Sequence, residues 1–221
     1  MSDNIWSAVD RYICDRVVPA DPALDAALKA SAAAGLPEIS VTPNQGKLLQ
    51  MLAKLSGARR ILEFGTLGGY STIWLARALP ADGRLVTLEC EAHHAKVARA
   101  NIANAGVQNL VDLRVGSALD LLPKIEAEGL APFDFIFIDA DKANMDRYFQ
   151  WALKLSRPGS VIIADNVVRQ GAVTDAASTD VNVQGVRRFF DLAAREARVT
   201  VTAIQTVGSK GHDGFAMAVV N

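Results

Sequence analysis

Residues 133–142 read Phe-Asp-Phe-Ile-Phe-Ile-Asp-Ala-Asp-Lys. The almost wholly apolar run Phe133 to Ile138 reads as a strand buried on both faces of a parallel sheet. Asp139, Asp141 and Lys142 stand at its carboxyl end. The pattern then returns, because Ser160 to Ala164 is a second buried strand and it ends in Asp165-Asn166. In open α/β sheets ligands bind beyond the carboxyl ends of the strands. Two neighbouring strand ends that carry oxygen ligands point to a site for a hard divalent cation. The bland alternative is that Asp139, Asp141 and Asp165 are helix N-caps and Lys142 a solvated surface lysine.

A second constellation lies earlier. Glu63-Phe64-Gly65-Thr66-Leu67-Gly68-Gly69 joins a strand to a helix. Glycines there allow positive φ and close approach of a ligand to the backbone. The turn lacks the Gly-x-Gly of the dinucleotide fingerprint, which argues against a nicotinamide-dependent oxidoreductase. Glu63 precedes it, and Glu89 ends the next strand, where a carboxylate commonly holds ribose hydroxyls. Acids at this rim repel a pyrophosphate and suit a cationic ligand. S-adenosylmethionine combines a ribose with ammonium and sulfonium groups.

The elements that must position these residues alternate regularly. Strands are expected at 60–64, 84–88, 111–115, 133–138 and 160–164. Helices are expected at 72–79, 91–105, 143–155 and around 186–194. Arg157-Pro158-Gly159 reads as a helix stop, 169–180 as a loop, and 208–214 as a glycine-rich turn between two last strands, 199–205 and 215–220. The fold class expected is α/β, a doubly wound Rossmann-like sheet of seven strands. It is mostly parallel with an antiparallel last strand, and helices cover both faces. Residues 1–56 read as helices outside the βαβ pattern, forming a lid, a dimer contact or both. In the first of them Ile5, Val9, Ile13 and Val17 recur at spacings of four. Thr42 reads as an N-cap before Pro43, and Leu48, Leu49, Leu52 and Leu55 as a helical stripe.

Composition narrows the function. The 221 residues are half hydrophobic, with 23 basic and 24 acidic residues and a net charge of −1. That fits one domain and shows no basic excess for nucleic acid. No apolar run is long enough for a membrane span and no signal-peptide pattern opens the chain, so a cytoplasmic protein is expected. Cys14 and Cys90 read as ordinary reduced cysteines, and His93 and His94 as polar-face residues.

On Glu63-Phe64-Gly65-Thr66, Gly69-Tyr70-Ser71, Glu89, Gly116-Ser117-Ala118, Ile138-Asp139-Ala140-Asp141-Lys142, Asp165-Asn166 and Asp213-Gly214-Phe215, the chain resembles the class I S-adenosylmethionine-dependent methyltransferases. Within them it is most similar to the cation-dependent O-methyltransferases of the caffeoyl-CoA and catechol type, bacterial branch. The resemblance implies that Asp139, Asp165 and Asn166 hold a divalent cation, Mg²⁺ before Mn²⁺ or Ca²⁺. It implies catalytic roles for Lys142, the base near the acceptor hydroxyl, and for Asp139. It implies cofactor contacts from Val41, Glu63, Gly65, Thr66, Ser71, Glu89, Ala118 and Asp141. A small phenolic acceptor with vicinal hydroxyls and a homodimer are implied too. A divalent cation would act on the acceptor as a Lewis acid and would lower the pKa of Lys142 by disfavouring a second positive charge. Plant acyl-CoA enzymes carry Trp-Asn where this chain has Arg169-Gln170, which argues against a plant-type acyl-CoA acceptor. Methylation of a nucleoside hydroxyl in RNA, or non-catalytic cofactor binding, are the alternative readings.

Overall fold

The computed structural model describes residues 2–221, with side chains from Ile5 onward. In chain order the elements are α1 (Ser2–Val17), α2 (Pro22–Ala33), α3 (Pro43–Leu55), β1 (Arg60–Phe64), α4 (Tyr70–Ala76), β2 (Arg84–Glu89), α5 (Ala92–Asn104), β3 (Val111–Val115), α6 (Ala118–Ala127), β4 (Phe133–Ile138), α7 (Met145–Lys154), β5 (Ser156–Asp165), α8 (Val181–Ala193), β6 (Val199–Gly208) and β7 (Gly211–Val220). They build a seven-stranded sheet of order β3-β2-β1-β4-β5-β7-β6. β1 to β5 pair in parallel, and β7 runs antiparallel to both β5 and β6. This is the doubly wound arrangement expected, and its direction reverses between β1 and β4, where such sheets open a crevice.

Alternation along the strands sorts the core into two layers. Ile136 and Ile138 join Leu62, Phe64, Val86 and Leu88 under α6, α7 and α8. Phe135 and Phe137 join Ile61, Leu85 and Ile163 under α3, α4 and α5. Every residue of β4 is buried. Its one charged member, Asp134, accepts from the backbone N–H groups of Arg59 and Arg60 (2.8 and 2.9 Å) and from the Arg157 guanidinium (2.6 Å). That carboxylate therefore ties the starts of three adjacent strands together.

The structure corrects several boundaries. β5 begins at Ser156, so Arg157-Pro158-Gly159 lies in the strand. Asp134 holds Arg157 there, and Phe133 N donates to Leu155 O (2.8 Å). Most of 208–214 is hairpin strand, with only Ser209 and Lys210 in the turn. Residues Arg169–Thr174 of the expected loop form 3-10 turns interrupted by a kink at Gln170 and Gly171. Thr42 occupies the N-cap of α3, but its hydroxyl donates to Asn44 Oδ1 and accepts from no helix N–H. Leu55 is 81% exposed, and the α1 stripe of Ile5, Val9, Ile13 and Val17 faces outward with Tyr12. A periodicity identifies an apolar face; it does not say that this chain covers it.

One helix contact places the site directly. α8 lies against the 3-10 turn Lys142–Asn144 at Gly185, where a Cβ would meet Lys142 O at 2.0 Å. Ala is worth up to about 1 kcal/mol over Gly inside a helix. Overpacking against rigid backbone costs about 1–3 kcal/mol, so the clash should win. Gly185→Ala is expected to lower the urea unfolding midpoint. An unchanged or raised midpoint would show that α8 is not seated as described.

Candidate active site

The strand ends frame a cavity of about 1130 Å³. Single ligand pockets span roughly 300–1,000 Å³, so the space suits two ligands side by side. One wall is the turn after β1. Gly65 has φ +91, and a Cβ there would meet Asp139 O at 2.2 Å. The next amides are held by Glu89, whose Oε2 accepts from Thr66 N (3.2 Å) and Leu67 N (2.7 Å) and whose Oε1 accepts from Glu91 N (2.9 Å). Leu67 sits at φ 49 under this clamp. Gly116, Ser117 and Ala118, at the start of α6, complete this end.

Glu63 does not line the cavity. It is fully buried behind the wall, accepting from the hydroxyls of Ser71 (2.7 Å), Thr72 (2.5 Å) and Thr87 (2.7 Å). Burial raises its pKa to about 7 against the pull of those three hydrogen bonds. It touches the cavity lining through Ser71, in the first turn of α4, and through Thr87, whose hydroxyl lies 2.6 Å from that of Thr66.

The other end gathers Asp139, Asp141, Lys142, Asp165 and Asn166. The parallel register of Ile138 with Ala164 puts Asp139 beside Asp165. Asp139 accepts from Lys142 Nζ (2.8 Å), and Lys142 is 6% exposed, which is not the state of a solvated lysine. Asp165 accepts from Gln45 Nε2 (2.8 Å) and from the amide of Asn166 (2.9 Å). Burial first, and the Asp139 charge second, raise the Asp165 pKa to about 7. Asp141 accepts from Asn144 (2.7 Å) and from the Tyr148 hydroxyl, and its side chain caps no helix. Asn166 stands at φ 57 and lines the cavity.

Among the described residues, no three His, Cys, Asp or Glu side chains converge on one point. The candidate metal set is two carboxylates and an amide. Its chemistry fits a hard cation: two neighbouring carboxylates, one of them buried and short of countercharge, with a neutral oxygen donor beside them.

Val41, Gly65, Thr66, Ser71, Glu89, Ala118 and Asp141 all line the cavity, with Glu63 alone of that set behind it. Gln45 was not legible in the sequence: it falls within the leucine stripe of α3, three residues before Leu48 and four before Leu49, and that periodicity does not mark it as a partner of Asp165. His94 proves to line the cavity, with Nδ1 3.5 Å from Glu89 Oε1. Cys14 and Cys90 are free. Leu67, Asn166, Arg169 and Gln170 are the non-glycine residues with positive φ, and all four line the cavity. Backbone strain collects where a structure is shaped for a ligand.

Residues 17–218 match the family model described as O-methyltransferase. The catechol O-methyltransferase of Niastella koreensis is 54% identical over 220 residues, covering 100% of both chains. The crystal structure of the Bacillus cereus O-methyltransferase in complex with SAH superimposes with a TM-score of 0.98 at 59% identity, covering 99% of this chain and 100% of that one. The O-methyltransferase TomG of Streptomyces achromogenes, solved with SAM, gives 0.97 at 54%, covering 100% and 99%.

The buried Glu63 makes a pH signature. Its folded pKa lies above its unfolded value, so its contribution to stability is complete below about pH 4.5 and is lost as pH rises through about 7. Glu63→Gln has no such loss. Urea unfolding of the ligand-free protein should show the variant gaining on the wild type from pH 5 to pH 8, by at most about 3 kcal/mol. A constant difference across that range would show that Glu63 ionises freely.

Proposed function

The chain belongs to the O-methyltransferase family and uses S-adenosylmethionine as methyl donor, and we propose that it methylates one hydroxyl of a catechol-like acceptor with the help of a divalent cation. The carrying observation is that Asp139, Lys142, Asp165 and Asn166 meet in the same cavity as the glycine turn and Glu89.

The chemistry is a single displacement. The acceptor oxygen attacks the methyl carbon, the carbon–sulfur bond breaks, and the sulfonium sulfur keeps the electron pair. A phenol ionises near pH ~10, so the reaction needs a proton acceptor and a stabiliser of the phenolate. In this reading Lys142 Nζ takes the proton, aimed by its contact with Asp139. Asp139, Asp165 and Asn166 would hold the cation, and Gln45 fixes one oxygen of Asp165. When bound, a divalent cation supplies a Lewis acid that favours the ionised hydroxyl and the neutral amine beside it. Glu89 reads the ribose while clamping the turn. Val41, Thr66 and Ala118 line the same cavity and would add cofactor contacts, Ala118 toward the adenine. Orientation of two reactants in one cavity removes much of the entropic barrier.

Among the described residues no helix is long and apolar enough to cross a membrane. The exposed face of α1, with Ile5, Val9, Tyr12, Ile13 and Val17, supports a homodimer in which a second copy covers it. Light scattering at micromolar concentration should give twice the 23.6 kDa chain mass. A mass of one chain would refute the dimer.

Asp165→Ala is expected to lower kcat for a catechol by about 10³-fold, the equivalent of several kcal/mol of transition-state stabilisation. S-adenosylmethionine affinity by calorimetry should stay within about tenfold, because the cofactor end is built by β1 to β3. EDTA should act like the substitution, with Mg²⁺ or Mn²⁺ restoring only the wild type. Near-wild-type methylation by the variant without metal would refute the mechanism.

A further inference from the structure

Two cations on the acceptor side of the cavity have no part in the reaction as described. Arg169 follows β5, and Lys210 is the second residue of the turn between β6 and β7. Both line the cavity. They reach it from separate elements, and the backbone of each is held in place. Asp213 Oδ1 accepts from the amides of Val168 (3.1 Å), Arg169 (3.0 Å) and Gly214 (3.0 Å). Under that clamp Arg169 and Gln170 sit at φ 56 and 57, where L residues seldom go. The hairpin tip is fixed by Ser209 N to Asp10 Oδ2 (2.8 Å), and Gly208 packs so closely that a Cβ would meet the same oxygen at 2.5 Å. Lys210 Nζ donates to Ser40 O across the cavity mouth.

Neither cation has a carboxylate partner among the described residues. The nearby acids are already engaged. Asp139 pairs with Lys142, Asp165 with Gln45, Asp213 with three amides, and Asp10 with Ser209 N and Asn44 Nδ2. Glu38 lies on the same wall but forms no ion pair with either cation. The Arg169 Nε atom is buried without any hydrogen-bond partner. Leaving such a donor unmet is costly, and the cost falls when a ligand supplies the acceptor. Burial lowers the Lys210 pKa, while the charges of Asp139 and Asp165 act on its ammonium in the opposite direction, as they would on a cation near the acceptor end.

We propose that Arg169 and Lys210 are specificity residues that take the carboxylate of an acidic catechol, of the dihydroxybenzoate or dihydroxycinnamate type, and so decide which of its two hydroxyls faces the methyl group. The proposal rests on the catechol reading above. It gives a role to the Arg-Gln pair that distinguishes this loop from the Trp-Asn of the plant acyl-CoA type. Arginine supplies a planar fork that suits a carboxylate, and lysine a point charge at the mouth.

The test uses the full-length enzyme with S-adenosylmethionine and Mg²⁺. It compares 3,4-dihydroxybenzoate with the neutral 3,4-dihydroxybenzyl alcohol, and both products are resolved into their meta and para isomers. The wild type should prefer the acid in kcat/KM by about tenfold or more. Lys210→Gln and Arg169→Gln should each reduce that preference by about 10–100-fold, chiefly through KM, and should bring the isomer ratio of the acid toward that of the alcohol. Lys210→Arg should retain both properties. Melting temperature and S-adenosylmethionine affinity identify any variant that misfolds, and the Lys210→Arg comparison then carries the decision. Equal use of acid and alcohol by the wild type would overturn the proposal. So would variants that lower both substrates in proportion with the isomer ratio unmoved, since that is the mark of a structural role. If the wild type methylates neither compound, the catechol reading itself fails, and this inference falls with it.

Discussion

The ladder between β1 and β4 runs one bond past the strands: Asp139 N donates to Phe64 O at 2.9 Å. That bond brings the two chain ends so close that no side chain fits at position 65. Everything chemical hangs from this approach. On one side of it the chain turns into the glycine wall, and on the other Asp139 leaves the sheet toward the cavity. The same overrun recurs outward, with Gly65 N on Leu88 O and Gly116 N on Glu89 O. Four strand ends are thereby levelled at one rim, and the βα loops rise from a common plane.

Carboxylates then shape those loops. Glu63 gathers three hydroxyls beneath α4, Glu89 clamps two amides of the turn, and Asp213 clamps three amides around the segment after β5. A carboxylate offers about four lone-pair sites, so one acid can hold several donors that would otherwise be unpaired. The strained residues Leu67 and Arg169 each donate their amide to one of these acids. Charge-assisted bonds of this kind offset conformations that cost about 1–3 kcal/mol each. The acids closest to the acceptor are different in kind. Asp139 and Asp165 are brought together by register, and Lys142, paired with Asp139, is the one ammonium set against the two carboxylates, a shortage of positive charge that a cation relieves.

Much of this was readable from the chain alone. A strand buried on both faces announces itself by an unbroken apolar run, so β4 and its position in the sheet's interior were legible, as were β1 and β3 to the residue. That Asp139 and Asp165 line one cavity was legible because strands of a parallel sheet all end at the same rim, a rule that needs no coordinates. Side chains whose meaning is local chemistry at a strand end can be found this way.

What only the tertiary structure decided are the contacts between residues far apart in the chain. Gln45 on Asp165 spans four helices and four strands of sequence, and no periodicity encodes it. Glu63 looked like a cofactor ligand because it stands at a strand end, yet the pleat turns its side chain inward to three hydroxyls. The start of β5 depended on Asp134 gripping Arg157, and the outward face of α1 on Asp10 being spent on Asn44 and the hairpin tip. The sequence by itself determined which residues reach the rim, because that follows from strand direction and hydrophobic period. Which way each then faces was set by the partners that packing delivers, and a one-dimensional pattern contains no information about those distances.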